Sequence, residues 1–319
     1  MKRSSRICSD GAGRPPVGGG LAREDATGAG DLCAVRIPTN TVGAIIDLYQ
    51  QDLGGRHPAS EVRAIVEAVF HHHLAWDRAR LLAERDATLS ESELLRVYLP
   101  LKRLRCGEPL QYVLGSTTFH GLTIEVGPAV LIPRPETEEL VDLIMRTGQH
   151  PARIVDVCTG SGCIALALKR RFPQAEVHGL DVSRAALEVA RRNAKRNDLG
   201  VIWTLADVLD ERCMLPGAAD LVVSNPPYIP LAEAGTLDPH VREHEPAVAL
   251  FVDDEDPIRF HRAIARQAHV ALVPGGTLWF EGHHRTIGRV PPMLDTMGYR
   301  EATLLHDLSG APRFVRAIR

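Results

Sequence analysis

The sequence contains no uninterrupted apolar run of about 18 residues, the length that a membrane-spanning helix requires. The first 20 residues, MKRSSRICSDGAGRPPVGGG, include basic side chains, but no apolar stretch follows them as it does in a secretory signal. These two absences argue against a membrane protein and against a secreted one.

Cysteine is sparse and irregularly spaced, since there are six cysteines and no C-x-x-C pair. The pattern argues against a disulfide framework or a zinc knuckle and is typical of reduced thiols, so we expect a cytoplasmic protein. A metal site at the histidine clusters His71–His73 and His283–His284 would need further ligands that converge on them. We therefore expect packed or solvated imidazoles there and no metal site.

A basic excess is also lacking, because 37 Lys and Arg stand against 40 Asp and Glu, for a net charge of −3. From residue 106 onward the balance is 22 basic against 27 acidic residues. A protein that grips nucleic acid mainly through phosphates needs a positive surface, so this balance argues against direct nucleic-acid binding.

Length and patterning predict two folded domains behind a leader. Residues 1–35 are rich in glycine and lack apolar periodicity, which predicts a disordered leader. Within 36–105, apolar residues recur at helical spacing, as in Val62, Ile65, Val66 and Val69. We expect a small helical domain there, with a role in substrate recognition.

The remaining chain predicts an α/β fold. Residues 106–135 contain short β-branched segments around Gly121 and Gly127, which predict a β-hairpin linker. Over 136–319, apolar strand-like runs alternate with helical ones, the pattern of a doubly wound, mostly parallel sheet. The last two predicted strands flank a turn at Gly310, so the final strand should be antiparallel.

A glycine-rich turn follows the first strand of this sheet and leads into a helix at Gly160, Ser161 and Gly162. Asp181 ends the second strand, where its carboxylate can accept hydrogen bonds from the ribose of a nucleotide cofactor. These residues alone leave both NAD and S-adenosylmethionine open, because the loop also fits the G-x-G-x-x-A dinucleotide pattern.

A buried strand then runs into Asn225-Pro226-Pro227-Tyr228. Proline has no N–H to donate, so this segment offers carbonyl acceptors, the Asn225 oxygen and the aromatic face of Tyr228. Such acceptors suit a planar NH2 group, whose nitrogen they would aim at an electrophilic methyl group.

With these motifs the chain resembles class I S-adenosylmethionine-dependent methyltransferases that modify planar nitrogens. This resemblance favours S-adenosylmethionine over NAD as the cofactor. Over residues 40–319 it closely resembles the HemK-like glutamine N5-methyltransferases of peptide chain release factors. The motifs that carry this resemblance are Gly107-Glu108-Pro109-Leu110-Gln111-Tyr112, Phe119-x-Gly121, Leu131-Ile132-Pro133-Arg134-Pro135-Glu136-Thr137-Glu138, Glu245-Pro246 and Pro312-Arg313-Phe314.

The resemblance implies a Rossmann-like class I methyltransferase sheet and a role for each motif residue. The loop would hold the methionine part of S-adenosylmethionine, Asp181 the ribose, and Asp207 and Val208 the adenine. Asn225 would face both cofactor and substrate, and the helical domain would dock a release factor around its Gly-Gly-Gln loop. The implied catalytic residues are Asn225, Pro226 and Tyr228; the implied cofactor loop is Cys158, Thr159, Gly160, Ser161 and Gly162; the implied glutamine-binding residues are Asn225, Pro226, Pro227 and Tyr228.

The chain departs from the family pattern at three places. Cys158 replaces a common glycine, which a side chain tolerates only if the backbone there avoids positive φ. Glycines are missing from residues 250–257, and Glu281-Gly282-His283-His284-Arg285 replaces a Glu-Ile-Gly pattern. The acidic residues at 253–256 leave open a small-molecule amide or a guanidine such as free arginine as acceptor. A nucleic-acid base and a non-catalytic cofactor-binding module are further alternatives.

Overall fold

A computed structural model describes residues 39–319, so the predicted leader at 1–35 lies outside the described residues. Four helices come first, as the apolar periodicity predicts. The fourth begins with a capping box, in which Ser90 and Glu93 each accept a hydrogen bond from the other's backbone N–H. The four helices are α1 (Val42–Leu53), α2 (Ala59–Leu74), α3 (Arg78–Ala83) and α4 (Glu91–Arg105).

A short helix, α5 (Leu110–Leu114), and a hairpin follow. The hairpin pairs β1 (Ser116–Phe119) with β2 (Leu122–Glu125) in antiparallel register. Its turn at His120 and Gly121 has positive φ at both residues, the geometry of a tight two-residue turn. The hairpin is the one predicted from the sequence, whereas α5 was not predicted.

Seven strands form the main sheet in the order β10–β11–β9–β6–β3–β4–β5. All neighbouring strands from β9 to β5 are parallel, whereas β11 is antiparallel to both of its neighbours. The predicted parallel sheet with an antiparallel last strand is confirmed. The strands are β3 (Arg153–Val157), β4 (Glu176–Asp181), β5 (Ile202–Leu205), β6 (Ala219–Ser224), β9 (Leu272–Glu281), β10 (Arg300–His306) and β11 (Pro312–Ile318).

Helices cover both faces of this sheet, and the side chains of β3 alternate between them. Ile154 packs with α6, α7 and α8, whereas Val155 and Val157 pack with α11 and α12. The elements are α6 (Pro135–Arg146), α7 (Cys163–Arg171), α8 (Arg184–Arg196), α11 (Arg259–Ala271) and α12 (Val290–Thr296).

Shorter elements connect β6 to α11. Strands β7 (Ile229–Pro230) and β8 (Phe251–Val252) pair with each other in parallel. Between them lie α9 (Pro239–His244), α10 (Ala247–Leu250) and a 3-10 helix at Leu231–Thr236. A second 3-10 helix, Ile287–Arg289, precedes α12. Among residues 39–319, no helix combines the length and the apolar character needed to cross a membrane. The domain boundaries at residues 36, 106 and 136 stay a prediction.

Candidate active site

The glycine loop joins β3 to α7 at the carboxyl edge of the sheet. Gly160 has φ of 55° and Gly162 has φ of 82°, a left-handed conformation that glycine adopts without a steric penalty. Cys158 has φ of 60°. The condition stated for a side chain at this position, a backbone that avoids positive φ, is therefore wrong, because Cys158 adopts a left-handed conformation that favours glycine.

Asp156 lies beneath this loop and is completely buried. Its Oδ2 accepts hydrogen bonds from the Thr159 hydroxyl at 2.5 Å and from the Ala165 N–H at 3.1 Å. Its Oδ1 has no partner among the described residues. Burial raises the pKa of Asp156 to about 7, although both hydrogen bonds favour the ionised form.

Asp181 ends β4, and its carboxylate accepts hydrogen bonds from the backbone of the glycine loop and from the backbone that follows β4. Its Oδ2 accepts from the Gly160 N–H and its Oδ1 from the Ser183 N–H, each at 2.8 Å. Burial raises the pKa of this carboxyl, and the backbone hydrogen bonds oppose the shift. A carboxylate has about four acceptor positions, so each oxygen keeps capacity for another donor.

A cavity of about 230 Å³, here called the first cavity, opens over the loop. It brings together most of the predicted cofactor residues, and its wall also includes apolar residues that were not predicted, among them Val248, Ala249 and Phe260. Gly162 is not part of the lining and instead caps the start of α7. The predicted residues that line the first cavity are Cys158, Thr159, Gly160, Ser161, Asp181, Asp207, Val208, Asn225 and Pro227.

A second cavity, of about 310 Å³, lies on the other side of Asn225. Pro226 and Tyr228 line it, whereas Pro227 lines the first cavity. Asn225 lines both cavities, as do Leu131 and Ala249, and it is the polar residue of the three at this junction. The rest of the second cavity is mainly apolar, and its other lining residues are Leu131, Arg134, Ile229, Leu237, Asp238, Val241, Ala249 and Leu250.

Two of the predicted catalytic side chains are held by a buried carboxylate, Glu281, at the end of β9. Asn225 Nδ2 donates to Thr137 Oγ1 at 3.1 Å, and Thr137 donates to Glu281 Oε2 at 2.8 Å. Tyr228 donates its phenolic O–H to Glu281 Oε1 at 3.1 Å. Thr137 and Glu281 were not predicted as site residues, although both lie in motifs that the sequence analysis singled out.

The electrostatics of this group are dominated by the exclusion of water. Burial raises the pKa of Glu281 to about 7, against the opposing effects of Thr137, Tyr228 and the positive charge of Arg313. The pKa of Tyr228 is also raised, first by burial and then by the nearby Glu281 charge. Tyr228 therefore stays a neutral hydrogen-bond donor throughout the physiological range.

Arg134 is fixed at the edge of the second cavity by an ion pair with Glu245. Its Nη2 lies 2.5 Å from Glu245 Oε1, and Glu245 Oε2 accepts from the Ile132 N–H. Glu245 is buried, whereas the Arg134 side chain remains 30% exposed. This pair connects the segment before α6 to the segment after α9.

The acidic residues at 253–256 form ion pairs and a hydrogen bond with neighbouring residues. Asp253 pairs with Arg259, Asp256 pairs with Arg262, and Asp254 Oδ1 accepts from the Ala232 N–H at 2.9 Å. None of the four acidic residues lines either of the two cavities. Their charges are thus partly neutralised and lie away from the cavity walls.

The divergent segment after β9 packs behind Tyr228. His283 is buried, and its ring centroid lies 6.3 Å from that of Tyr228. His283 Nε2 lies 3.3 Å from Glu233 Oε2, in the 3-10 helix at Leu231–Thr236. Burial lowers the pKa of His283, although the Glu233 carboxylate opposes this shift.

Two family models match the chain. Residues 50–115 match the model described as PrmC N-terminal domain, and residues 136–236 match the model described as Methyltransferase small domain. The first match covers part of the helical region and α5, and the second covers α6, the glycine loop and Asn225–Tyr228.

Curated proteins resemble the chain over most of its length. A release factor glutamine methyltransferase of Bacteroides thetaiotaomicron is 36% identical over 280 residues, 88% of this chain and 100% of that protein. One from Mycolicibacterium smegmatis is 42% identical over 263 residues, 81% of this chain and 90% of that protein. Among solved structures, a methyltransferase from Pyrococcus furiosus is 18% identical with a TM-score of 0.46, covering 62% of this chain and 89% of that one.

Proposed function

The chain belongs to the release factor glutamine methyltransferase family, and from this membership we propose that it methylates the side-chain amide nitrogen of a glutamine in a peptide chain release factor. It is an S-adenosylmethionine-dependent N-methyltransferase. The proposed acceptor is the glutamine of the Gly-Gly-Gln loop, and a substrate of this kind places the activity in the cytoplasm.

The observation that carries this proposal is the position of Asn225 at the junction of the two cavities. A methyl donor in the first cavity and an amide in the second would meet at this side chain. The match to the Bacteroides protein over its whole length supports the same function, because it includes both the helical region and the cavity residues.

The residues that line the first cavity suit the chemical groups of S-adenosylmethionine. Cys158–Ser161, which line the cavity, would hold the methionine part, and Asp181 would accept the ribose hydroxyls with its free acceptor positions. Asp207 and Val208 would bind the adenine, which the apolar side chain of Phe260 would help to cover. The cofactor supplies an electrophilic methyl group bonded to a positively charged sulfur.

The residues at Asn225–Tyr228 would orient the amide rather than deprotonate it. An amide nitrogen is a poor nucleophile because its lone pair is delocalised, so correct alignment contributes most to the rate. The Asn225 oxygen and the Pro226 carbonyl would accept the two N–H bonds, while the ring of Tyr228 would pack against the flat amide. A base is needed only after methylation, when the nitrogen becomes acidic.

The walls of the second cavity favour an uncharged acceptor. Most of its lining is apolar, and its charged members, Arg134 and Asp238, are of opposite sign. Asp253 and Asp256 are paired with arginines, and none of the acidic residues at 253–256 lines the second cavity, so no carboxylate of this segment is in place to hold a guanidinium there. A neutral amide thus fits this cavity better than free arginine does.

The direct test is mass spectrometry of a bacterial release factor after incubation with the protein and S-adenosylmethionine. We expect one added methyl group, which peptide fragmentation should locate on the Gly-Gly-Gln glutamine. A release factor with that glutamine replaced by alanine is the matched control and should gain none. Free arginine and free glutamine, incubated in the same way, should remain unmodified.

Two outcomes would contradict the proposal. Methylated arginine beside an unmodified release factor would show that the chemistry acts on a small molecule. Cofactor binding by calorimetry without turnover on any acceptor would show a binding module that has lost catalysis.

A further inference from the structure

When the Glu281 carboxylate is ionised, the donor and the acceptor are fixed in each hydrogen bond that connects Glu281, Thr137 and Asn225. An ionised carboxylate can only accept, so the single hydroxyl proton of Thr137 must point to Glu281 Oε2. The Thr137 oxygen, 3.1 Å from Asn225, is then left with acceptor positions only. Asn225 must therefore present its NH2 group to Thr137.

This direction determines which way the amide of Asn225 faces. The oxygen and nitrogen of an asparagine side chain have nearly the same shape, and only the hydrogen-bond network distinguishes the two orientations. With Nδ2 held by Thr137, Oδ1 is turned away from Thr137, on a side chain that lines both cavities. An oxygen facing the substrate accepts an N–H, whereas an NH2 group in its place would repel it.

We propose that Glu281 is a positioning residue, which acts through Thr137 to fix the amide of Asn225 with its oxygen toward the acceptor nitrogen and which anchors Tyr228 directly. Glu281 lines neither cavity, whereas Thr137 lines the first cavity but not the second, so neither side chain contacts an acceptor in the second cavity. The inference rests on the proposed function, since it assigns roles around the same acceptor nitrogen.

The surroundings of Glu281 keep this arrangement sensitive to pH. Arg313 of β11 favours its ionised form, whereas Glu136 of α6 and burial oppose it. His261 of α11 contacts the backbone oxygen of Glu281 at 3.0 Å, and burial lowers the pKa of this imidazole to about 4, which keeps it neutral near pH 7. His283, two residues beyond Glu281, lies behind Tyr228.

Protonation of Glu281 would remove the constraint on Asn225. A neutral carboxyl has an O–H of its own, which it can donate to Thr137. The Thr137 hydroxyl is then free to donate to Asn225, and this selects the flipped amide. Because the pKa of Glu281 is raised to about 7, the wrong orientation should become populated as the pH falls below neutrality.

A matched pair of substitutions at Thr137 tests the kinetic role. Thr137→Val keeps the shape and removes the hydroxyl, whereas Thr137→Ser keeps the hydroxyl. With a release factor as substrate, we expect kcat to fall about 10-fold or more in Thr137→Val, with KM changed less than about 3-fold, and Thr137→Ser to retain most of the wild-type kcat. Equal kcat in the two variants would overturn the role of Thr137.

Glu281→Gln tests the pH dependence, because an amide does not titrate. The kcat of the wild-type protein should decline below about pH 7, and this acid limb should be absent in Glu281→Gln even though its kcat at pH 8 is lower than wild type. An unchanged acid limb in Glu281→Gln would assign the titration to another group and overturn the proposal.

A measurement without substrate separates this proposal from the proposed function. In protein labelled with 15N-asparagine, the side-chain NH2 signals of Asn225, identified by their loss in Asn225→Asp, should shift with pH near 7 in wild type and not in Thr137→Val. If the release factor is not methylated but this difference is seen, the proposed function fails and the positioning role stands. If the Asn225 signals titrate alike in both proteins, the positioning role fails.

Discussion

At the scale of single residues, Cys158 combines a left-handed backbone with a side chain that lines the first cavity. The left-handed region costs an L-residue about 1–2 kcal/mol, because the Cβ approaches the following carbonyl oxygen. Burial and the neighbouring Asp181 and Asp156 charges raise the pKa of the Cys158 thiol. The thiol therefore stays protonated and is a poor nucleophile.

Cys158→Gly should stabilise the protein. Relief of the left-handed strain exceeds the extra entropy that glycine gives the unfolded chain, so we expect the free energy of unfolding to rise by up to about 1 kcal/mol. Urea denaturation measures this change. Cys158→Ala is the control, because it removes the thiol but keeps the Cβ. A gain as large in the alanine variant would show that the thiol, and not the backbone, causes the effect.

Asn225→Ala should separate chemistry from cofactor binding. Loss of one oriented acceptor should lower kcat about 100-fold, comparable to the loss of a single oriented group in other sites, while cofactor affinity stays within several-fold of wild type. Asp181→Ala should instead lower the cofactor affinity, measured by calorimetry, more than it lowers kcat. Wild-type kcat in Asn225→Ala would contradict the catalytic role of this side chain.

The sequence predicts the site unevenly at this scale. Asp181 ends β4 and Asn225–Tyr228 follows β6 directly, so local sequence places them at the edge of the sheet. Thr137 and Glu281 are 144 residues apart, and their hydrogen bond depends on how α6 meets the end of β9. No local pattern in a single sequence encodes that contact.

At the scale of elements, Asn193 of α8 joins the β1–β2 hairpin to the glycine loop. Its Nδ2 donates to the backbone oxygens of Glu125 and Ser161, and its Oδ1 accepts from the Glu125 N–H at 2.6 Å. The side chain is completely buried. The predicted hairpin linker thus also supports the backbone of the first cavity, a role that the sequence does not reveal.

Asn193→Asp should weaken both stability and cofactor binding. The new oxygen would face two carbonyl oxygens in a buried site, which should reduce the free energy of unfolding by roughly 2–4 kcal/mol. Cofactor affinity should fall because Ser161 loses its support.

Asn197→Asp is the matched control for this effect. Asn197, the C-cap residue of α8, donates to the backbone oxygens of Thr123 and Asn193 but not to the glycine loop. It should reduce stability less and leave cofactor affinity near wild type. Equal losses of affinity in the two variants, measured by calorimetry, would refute a specific connection between Asn193 and the loop.

Elements with a clear periodicity were predicted closely, and short ones were not. The alternation of strand-like and helical runs predicted over 136–319 is the order in which β3, α7, β4 and α8 follow one another. Helix α5 has only five residues, too few to show a helical repeat. It is instead held by tertiary contacts, since Tyr112 donates its O–H to the Val130 oxygen at 2.6 Å.

At the scale of the whole molecule, strand order is the feature that sequence alone defines least. Alternating strands and helices predict a parallel sheet, and a tight turn at Gly310 predicts antiparallel pairing of the last two strands. Insertion of β11 between β9 and β10 follows from neither, because it depends on side-chain packing over the whole sheet edge. This order pairs Phe314 with Glu281, which brings Arg313 of β11 close to the buried carboxylate.

The buried carboxyls Asp156 and Glu281 should make the protein less stable as the pH rises through the neutral range. Both have a folded pKa of about 7, above the ordinary values of 3.8 and 4.5. Between those values and pH 7, the folded state keeps protons that the unfolded state has lost. This stabilisation is complete at low pH and is lost as the pH approaches and passes 7.

Glu281→Gln isolates one of these two contributions. Carboxyls with lowered pKa, such as Asp307, act in the opposite direction, but they are common to wild type and variant and cancel in the comparison. Relative to the variant, wild type should lose on the order of a few kcal/mol in free energy of unfolding between pH 5 and pH 8, measured by urea denaturation. A difference that does not vary with pH would mean that Glu281 titrates at an ordinary pKa in the folded protein. A lower stability of wild type than of Glu281→Gln at pH 8, together with a lower kcat of Glu281→Gln, would indicate that Glu281 serves the reaction rather than the stability of the fold.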